Sequence, residues 1–117
     1  MPRSYWKLHL DSSSEESARK VVNRCIKVFD RPPVESSLEK YSKGGYMATL
    51  EFFHSDDFLW PELVMEVIVF GQKLGTGWCL MGNVAHESNA VLSKQQSSSH
   101  ISVSGVQWAE WQVINEK

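Results

Sequence analysis

The side chains able to do chemistry are scattered along this 117-residue chain. His9, His54, His86 and His100 have neither the i, i+4 spacing of a helical metal site nor the short spacing of a hairpin one, so no metal is expected. Cys25 and Cys79 lie too far apart for a zinc pattern and are too few for a disulfide framework. Each reads as a reduced core thiol, since free cysteine is among the most buried residue types. Nucleophilic catalysis needs a serine or cysteine beside a histidine and an orienting acid. Sixteen serines and fourteen acidic residues offer such combinations by chance, with no spacing that singles one out. Gly71, Gly75, Gly77 and Gly82 surround the end of a predicted helix, where backbone amides and dipole point the wrong way to cradle phosphate. The chain is therefore expected not to be an enzyme, with no catalytic residue and no cofactor, and the four histidines and two cysteines have no catalytic role.

Charge is more informative than reactivity. Net charge is −2, yet residues 1–45 carry +3 and residues 46–117 carry −5. This asymmetry predicts one basic and one acidic region and argues against a protein that simply coats nucleic acid. The basic part is a stripe, Lys20, Arg24, Lys27 and Arg31, on one side of a predicted helix. It reads as the solvated face of a helix packed on a sheet, and no aromatic residues interleave with it to stack bases. The acidic part, Asp56, Asp57, Glu62 and Glu66, falls within eleven residues around the start of a second helix. Met65 and Val69 lie among those carboxylates, outside the helix's main apolar half, as in a protein interface. Packing of the C-terminal tail over that side would bury them instead. The like-charged pair Glu62 and Glu66 is a cost that a basic partner would reverse, although the helix dipole also favours acids at Asp56, Asp57 and Glu62.

The positioning elements follow from periodicity. Tyr5–Leu10 alternates Trp6, Leu8 and Leu10 against Tyr5, Lys7 and His9, a strand with one buried face. Ser13 with Glu16 fits a capping box, and Ala18, Val21, Val22, Cys25, Ile26 and Phe29 form the apolar stripe of a helix near residues 13–30 that ends at Arg31-Pro32-Pro33. Val34–Tyr41 and Tyr46–His54 flank Gly44-Gly45 as a hairpin. In its second strand Tyr46, Ala48, Leu50 and Phe52 share a face. Pro61 is tolerated in the first turn of a helix at 60–74, which Gly75 stops. Strands are expected at Trp78–Val84, Ala90–Leu92, Ile101–Val103 and Val106–Ile114, with a polar loop over Ser93–Ser99. The odd spacing of Trp108 and Trp111 puts them on opposite faces unless a bulge intervenes.

The order strand, helix, strand, strand, helix, strand, with an added antiparallel tail, predicts a single α+β domain over 1–117. It is the split βαβ (ferredoxin-like) arrangement, with both helices on one face of an antiparallel sheet. Forty-two per cent hydrophobic residues suffice for one core and exclude a disordered chain. The most apolar stretch, Leu63–Phe70, is broken by Glu66 and falls far short of a membrane span. The N-terminal residues lack the apolar core of a signal peptide, so a cytoplasmic protein is expected. Thirteen aromatic residues make a bare second sheet face unexpected, which leaves a homodimer or a folded-over tail as ways to cover it.

Gly105-Val106-Gln107-Trp108-Ala109-Glu110-Trp111-Gln112-Val113, with Gly75-Thr76-Gly77-Trp78 upstream, resembles the style of small bacterial immunity proteins. These are the cognate inhibitors of contact-dependent inhibition and other polymorphic toxin systems. The resemblance implies a protein that neutralises a toxin domain, a nuclease for instance, by covering its basic cleft with carboxylates in place of phosphates. The expected contact set is Asp56, Asp57, Glu62, Met65, Glu66 and Val69, with no membrane or nucleic-acid partner. Two other classes stand beside it: a dimer enclosing a small ligand between sheets, as some monooxygenase-like split βαβ enzymes do, and a regulatory or RNA-binding module using the helix-one stripe.

Overall fold

Alternation in the first strand decides the layering. The computed structural model describes residues 2–81, 87–93 and 100–114. In β1 (Arg3–Leu10) Ser4, Trp6, Leu8 and Leu10 are buried and Lys7 is exposed, the period of a strand covered on one side. β3 (Tyr46–Phe53) runs antiparallel beside it, with Trp6 opposite Leu50 and Leu8 opposite Ala48. β8 (Val106–Ile114) takes its other side, with Trp6 opposite Trp111 and Leu8 opposite Ala109. β2 (Glu35–Lys40) pairs with β3, and β5 (Cys79–Met81) and β6 (Glu87–Ser93) extend the sheet beyond β8. The result is a six-stranded antiparallel sheet in the order β2-β3-β1-β8-β6-β5. β4 (Gly75–Thr76) and β7 (His100–Ile101) form a separate two-stranded pair.

Both helices serve the covered face. α1 (Glu15–Phe29) contributes Ala18, Val21, Cys25 and Phe29, and α2 (Trp60–Gln72) contributes Leu63, Val64, Val67 and Phe70, to one core with Trp6, Leu8, Leu10, Ala48, Leu50, Phe52, Ala109 and Trp111. The α+β class, the antiparallel sheet and the two helices match the sequence expectation. The N-cap of α1 is Ser14, whose hydroxyl accepts the Ser17 N–H at 3.2 Å, one residue after the expected Ser13. The helix stops before the prolines. Asp30 turns left-handed at φ 57°, and its N–H donates back to Ile26 O at 3.1 Å. α2 ends at Gln72 rather than Leu74, and Trp78 Nε1 donates to the carbonyls of Gly71 (3.1 Å) and Gly75 (3.0 Å) there.

The largest departure concerns the strand beside β1. The expected occupant, at Trp78–Val84, has only Cys79–Met81 as a described strand, and these lie at the far edge against β6. β8, nine residues long with Val106, Ala109, Trp111 and Val113 buried, pairs along the whole of Arg3–Leu10 and occupies the centre of the sheet. Trp111 is buried on the covered face and Trp108 lies on the other, as the odd spacing required.

Ser102 and Ser104, shortly before β8, are tied to the helix side of the sheet. Ser102 N–H donates to Leu74 O at 2.8 Å and Arg24 to Ser104 O at 3.0 Å. At Gly105 (φ 100°) a Cβ would lie 2.8 Å from a Val21 methyl. Gly45 is equally constrained at the β2–β3 turn, where φ is 77° and a Cβ would strike the Leu10 carbonyl. His86 and the loop at 94–99 lie outside the described residues.

The Cys25 thiol is buried, and burial pushes its pKa up to about 12, as expected of a core thiol. Cys25→Asp should remove cooperative melting, because an unpaired carboxylate there costs more than about 4 kcal/mol. Val22→Asp, at a half-buried position, should destabilise less. Circular-dichroism melts of both variants test the packing of α1.

Candidate functional site

α2 divides its polar residues between two sides. Ser55 closes a turn ahead of it, its hydroxyl accepting the Asp57 N–H at 3.1 Å. Glu62 reaches back to accept the Leu59 N–H at 2.9 Å, which with Pro61 fixes the first turn. The inward stripe of Leu63, Val64, Val67 and Phe70 fills the core. On the outside, Leu59, Met65 and Val69 are 70%, 59% and 56% exposed, and Asp56, Asp57 and Glu62 are exposed as well. The tail does not bury Met65 and Val69. Five of the six residues expected at an interface are thus exposed, and so, unforeseen, is Leu59.

Glu66 does not. Its carboxylate turns inward: Oε2 lies 2.7 Å from His54 Nδ1, and Oε1 accepts from Arg31 at 3.2 Å. His54 Nε2 lies 2.7 Å from Ser4 Oγ, which also accepts the Trp6 indole N–H at 2.9 Å. Arg31 further donates to Phe53 O at 3.4 Å and lies 5.1 Å from the centre of the Phe70 ring. The repulsion expected between Glu62 and Glu66 is therefore met from within, by Arg31. Of the basic stripe, Arg31 enters this network and Arg24 donates to Ser104 O, while Lys20, Arg24 and Lys27 stay exposed on α1.

Serine, histidine and glutamate in this sequence of contacts have the connectivity of a nucleophilic relay. Burial pushes the His54 pKa below its ordinary 6.5, opposed by the Glu66 carboxylate and assisted by Arg31. Neutral His54 then donates Nδ1–H to Glu66 and accepts the Ser4 O–H at Nε2, which satisfies each group. Ser4, however, is 0% exposed and its oxygen is already engaged by Trp6, so a substrate carbonyl has no approach to it in this conformation. The arrangement satisfies buried polar groups beneath the core. Sequence reasoning missed it although part of the signal was present: strand parity places His54 on the face of Ala48, Leu50 and Phe52. Ser4 lies outside the expected strand Tyr5–Leu10, which begins two residues after the observed start at Arg3.

The opposite sheet face carries its own contacts. His9 stacks on Trp108 (centroids 5.8 Å apart), meets Tyr41 edge-on at 5.2 Å, and its Nε2 lies 2.9 Å from Gly44 O. Arg3 pairs with Glu51 at 2.7 Å. Among the described residues no three potential ligands group as a metal site, and no helix is long and apolar enough to cross a membrane.

Compared with protein-family models, with curated proteins and with solved structures, the chain matches none.

Two outcomes test the network. Glu66→Ala should cost about 1–3 kcal/mol by stranding His54 and Arg31. Because the pKa of folded His54 is lowered, the unfolded chain takes up a proton as pH falls below about 6.5 and the native state resists it. Stability is therefore full above that pH and declines below it. His54→Gln should flatten the decline between about pH 7 and 5. Denaturant midpoints at several pH values measure this, and equal slopes for both proteins would refute it.

Proposed function

We infer that this chain is a non-enzymatic binding protein of the immunity type, which neutralises a toxin domain by docking an acidic, apolar-centred surface on its basic cleft. The observation that carries the reading is the outer side of α2, where Leu59, Met65 and Val69 stand exposed beside Asp56, Asp57 and Glu62. Large apolar side chains grouped on a monomer's surface mark an interaction site. An acidic rim around them selects a basic partner and speeds its arrival. The immunity class is supported by the resemblance over residues 75–117. In the same reading the strands β2-β3-β1-β8 are a split βαβ sheet of ferredoxin-like order, whose closing strand comes late because residues 73–105 precede it.

Glu66 is withdrawn from the contact set, since it is committed to Arg31 and His54. Co-purification with the product of a neighbouring gene would supply the partner for the decisive measurement. Against that partner, Asp57→Lys with Glu62→Lys should slow association and weaken binding at least about tenfold, or about 1.4 kcal/mol, more so at low salt. Met65→Ser with Val69→Ser should chiefly speed dissociation. Lys20→Glu with Lys27→Glu on α1 should change little. Surface-plasmon kinetics at two salt concentrations distinguish these, and loss of binding in the α1 variant alone would overturn the reading.

A further inference from the structure

We propose that the outer edge of β2 is a second docking site, one that accepts an extended segment of a protein partner whose side chains alternate between basic and apolar. β2 is the end strand of the sheet, and among the described residues only β3 pairs with it. In an antiparallel ladder, the backbone groups of alternate residues point toward and away from the neighbouring strand. Tyr41 N–H donates to Gly45 O at 2.9 Å, in line with the register that pairs Glu39 with Met47 and Ser37 with Thr49. Residues 37 and 39 therefore direct N–H and C=O to β3, while Ser36, Leu38 and Lys40 direct theirs outward. An edge of this kind is a template for an added strand.

Two hollows flank the edge, one on each face of the sheet. On the helix side a groove of about 380 Å³ is lined by Val22 and Ile26 of α1 and Leu38 of β2, with Arg19 and Asn23 at its rim. On the opposite side a hollow of about 410 Å³ is lined by Tyr5, Glu35, Ser37, Thr49 and Glu51. An added strand would send alternate side chains into the two. Those entering the groove meet Val22, Ile26 and Leu38. Those on the other face meet Glu35 and Glu39, both exposed and without an ion pair among the described residues, whereas Glu51 is held by Arg3. Opposite charges across strands stabilise a pair and like charges oppose it, so the partner strand is basic on this face. A second copy of β2 paired antiparallel about Ser37 would set Glu35 against Glu39, so that register is disfavoured.

This proposal does not rest on the α2 surface, and the test keeps the two apart. The probe is an eight-residue peptide alternating lysine and valine, titrated into the uniformly 15N-labelled full chain. The expected result is shifts of the Ser36, Leu38 and Lys40 amides on binding. Glu35→Lys with Glu39→Lys should weaken binding at least about tenfold, as should Ser36→Pro, which removes only an outward N–H. Both variants should keep their melting temperature, and Asp57→Lys with Glu62→Lys on α2 should bind the peptide unchanged. A peptide alternating glutamate and valine should not bind. Shifts confined to α2, indifference to the β2 variants, absence of shifts at saturating peptide, or a dimer that Ser36→Pro converts to monomer would each overturn it.

Discussion

Burying the indole of Trp6 is the constraint on which the rest of this structure turns. A fully enclosed tryptophan contributes a large apolar area but needs an acceptor for its N–H. Here the acceptor is Ser4, two residues away on the same face of β1. That choice propagates. Buried Ser4 needs a place for its own proton, which His54 provides, and His54 needs Glu66, whose second oxygen needs Arg31. Arg31 then lies against the ring of Phe70, and Phe70 packs edge-on against Trp6 with centroids 5.8 Å apart. The polar chain closes on the aromatic side chain that began it.

The ring joins the elements that must meet for the fold to exist. Ser4 and Trp6 belong to β1, His54 follows β3, Glu66 and Phe70 belong to α2, and Arg31 follows α1. Phe29 of α1 stacks on Phe70 at 4.6 Å, and Phe52 of β3 meets both. Apolar packing of this kind tolerates exchange of similar side chains, because dispersion is not directional. Hydrogen bonds at 2.7–3.2 Å to buried and part-buried partners are directional, and leaving one of the buried ones unmade costs the desolvation of its group. The polar ring therefore fixes the register at which the apolar layers meet.

This division explains what could be read from the sequence. The faces of β1, β3 and α1 were legible because each depends on local periodicity, as the burial of Trp6, Leu8 and Leu10 or of Ala18, Val21, Cys25 and Phe29 shows. The opposite placement of Trp108 and Trp111 was legible for the same reason. The neighbour of β1 was not. Periodicity identifies a strand without naming its partner, and β8 is joined to β1 by pairs as distant in sequence as Arg3 with Ile114. Among the site residues, Met65 and Val69 were legible as apolar positions outside the main stripe of α2. The inward turn of Glu66 was not, since Arg31 and His54 are brought to it by tertiary contacts 35 and 12 residues distant in sequence.

Glu62 and Glu66, one helical turn apart, have opposite fates, and this bears on how α2 can act. Glu66 anchors the helix inward through His54 and Arg31, while Glu62 ties the first turn by accepting the Leu59 N–H. Phe70 and Gly71 hold the other end, where a Cβ at Gly71 would already touch Trp6, Trp78 and Trp111 at 3.3–3.4 Å. A helix secured at its start, middle and end presents Leu59, Met65 and Val69 in a fixed arrangement. Binding then has little backbone ordering left to offset, so more of the apolar contact energy is available as affinity. Asp56, Asp57 and Glu62 remain exposed to solvent in and just ahead of the same helix. The same network that satisfies Trp6 thus secures α2 from within and leaves acidic and apolar side chains on its outer side, which is what the proposed docking on a basic partner would use.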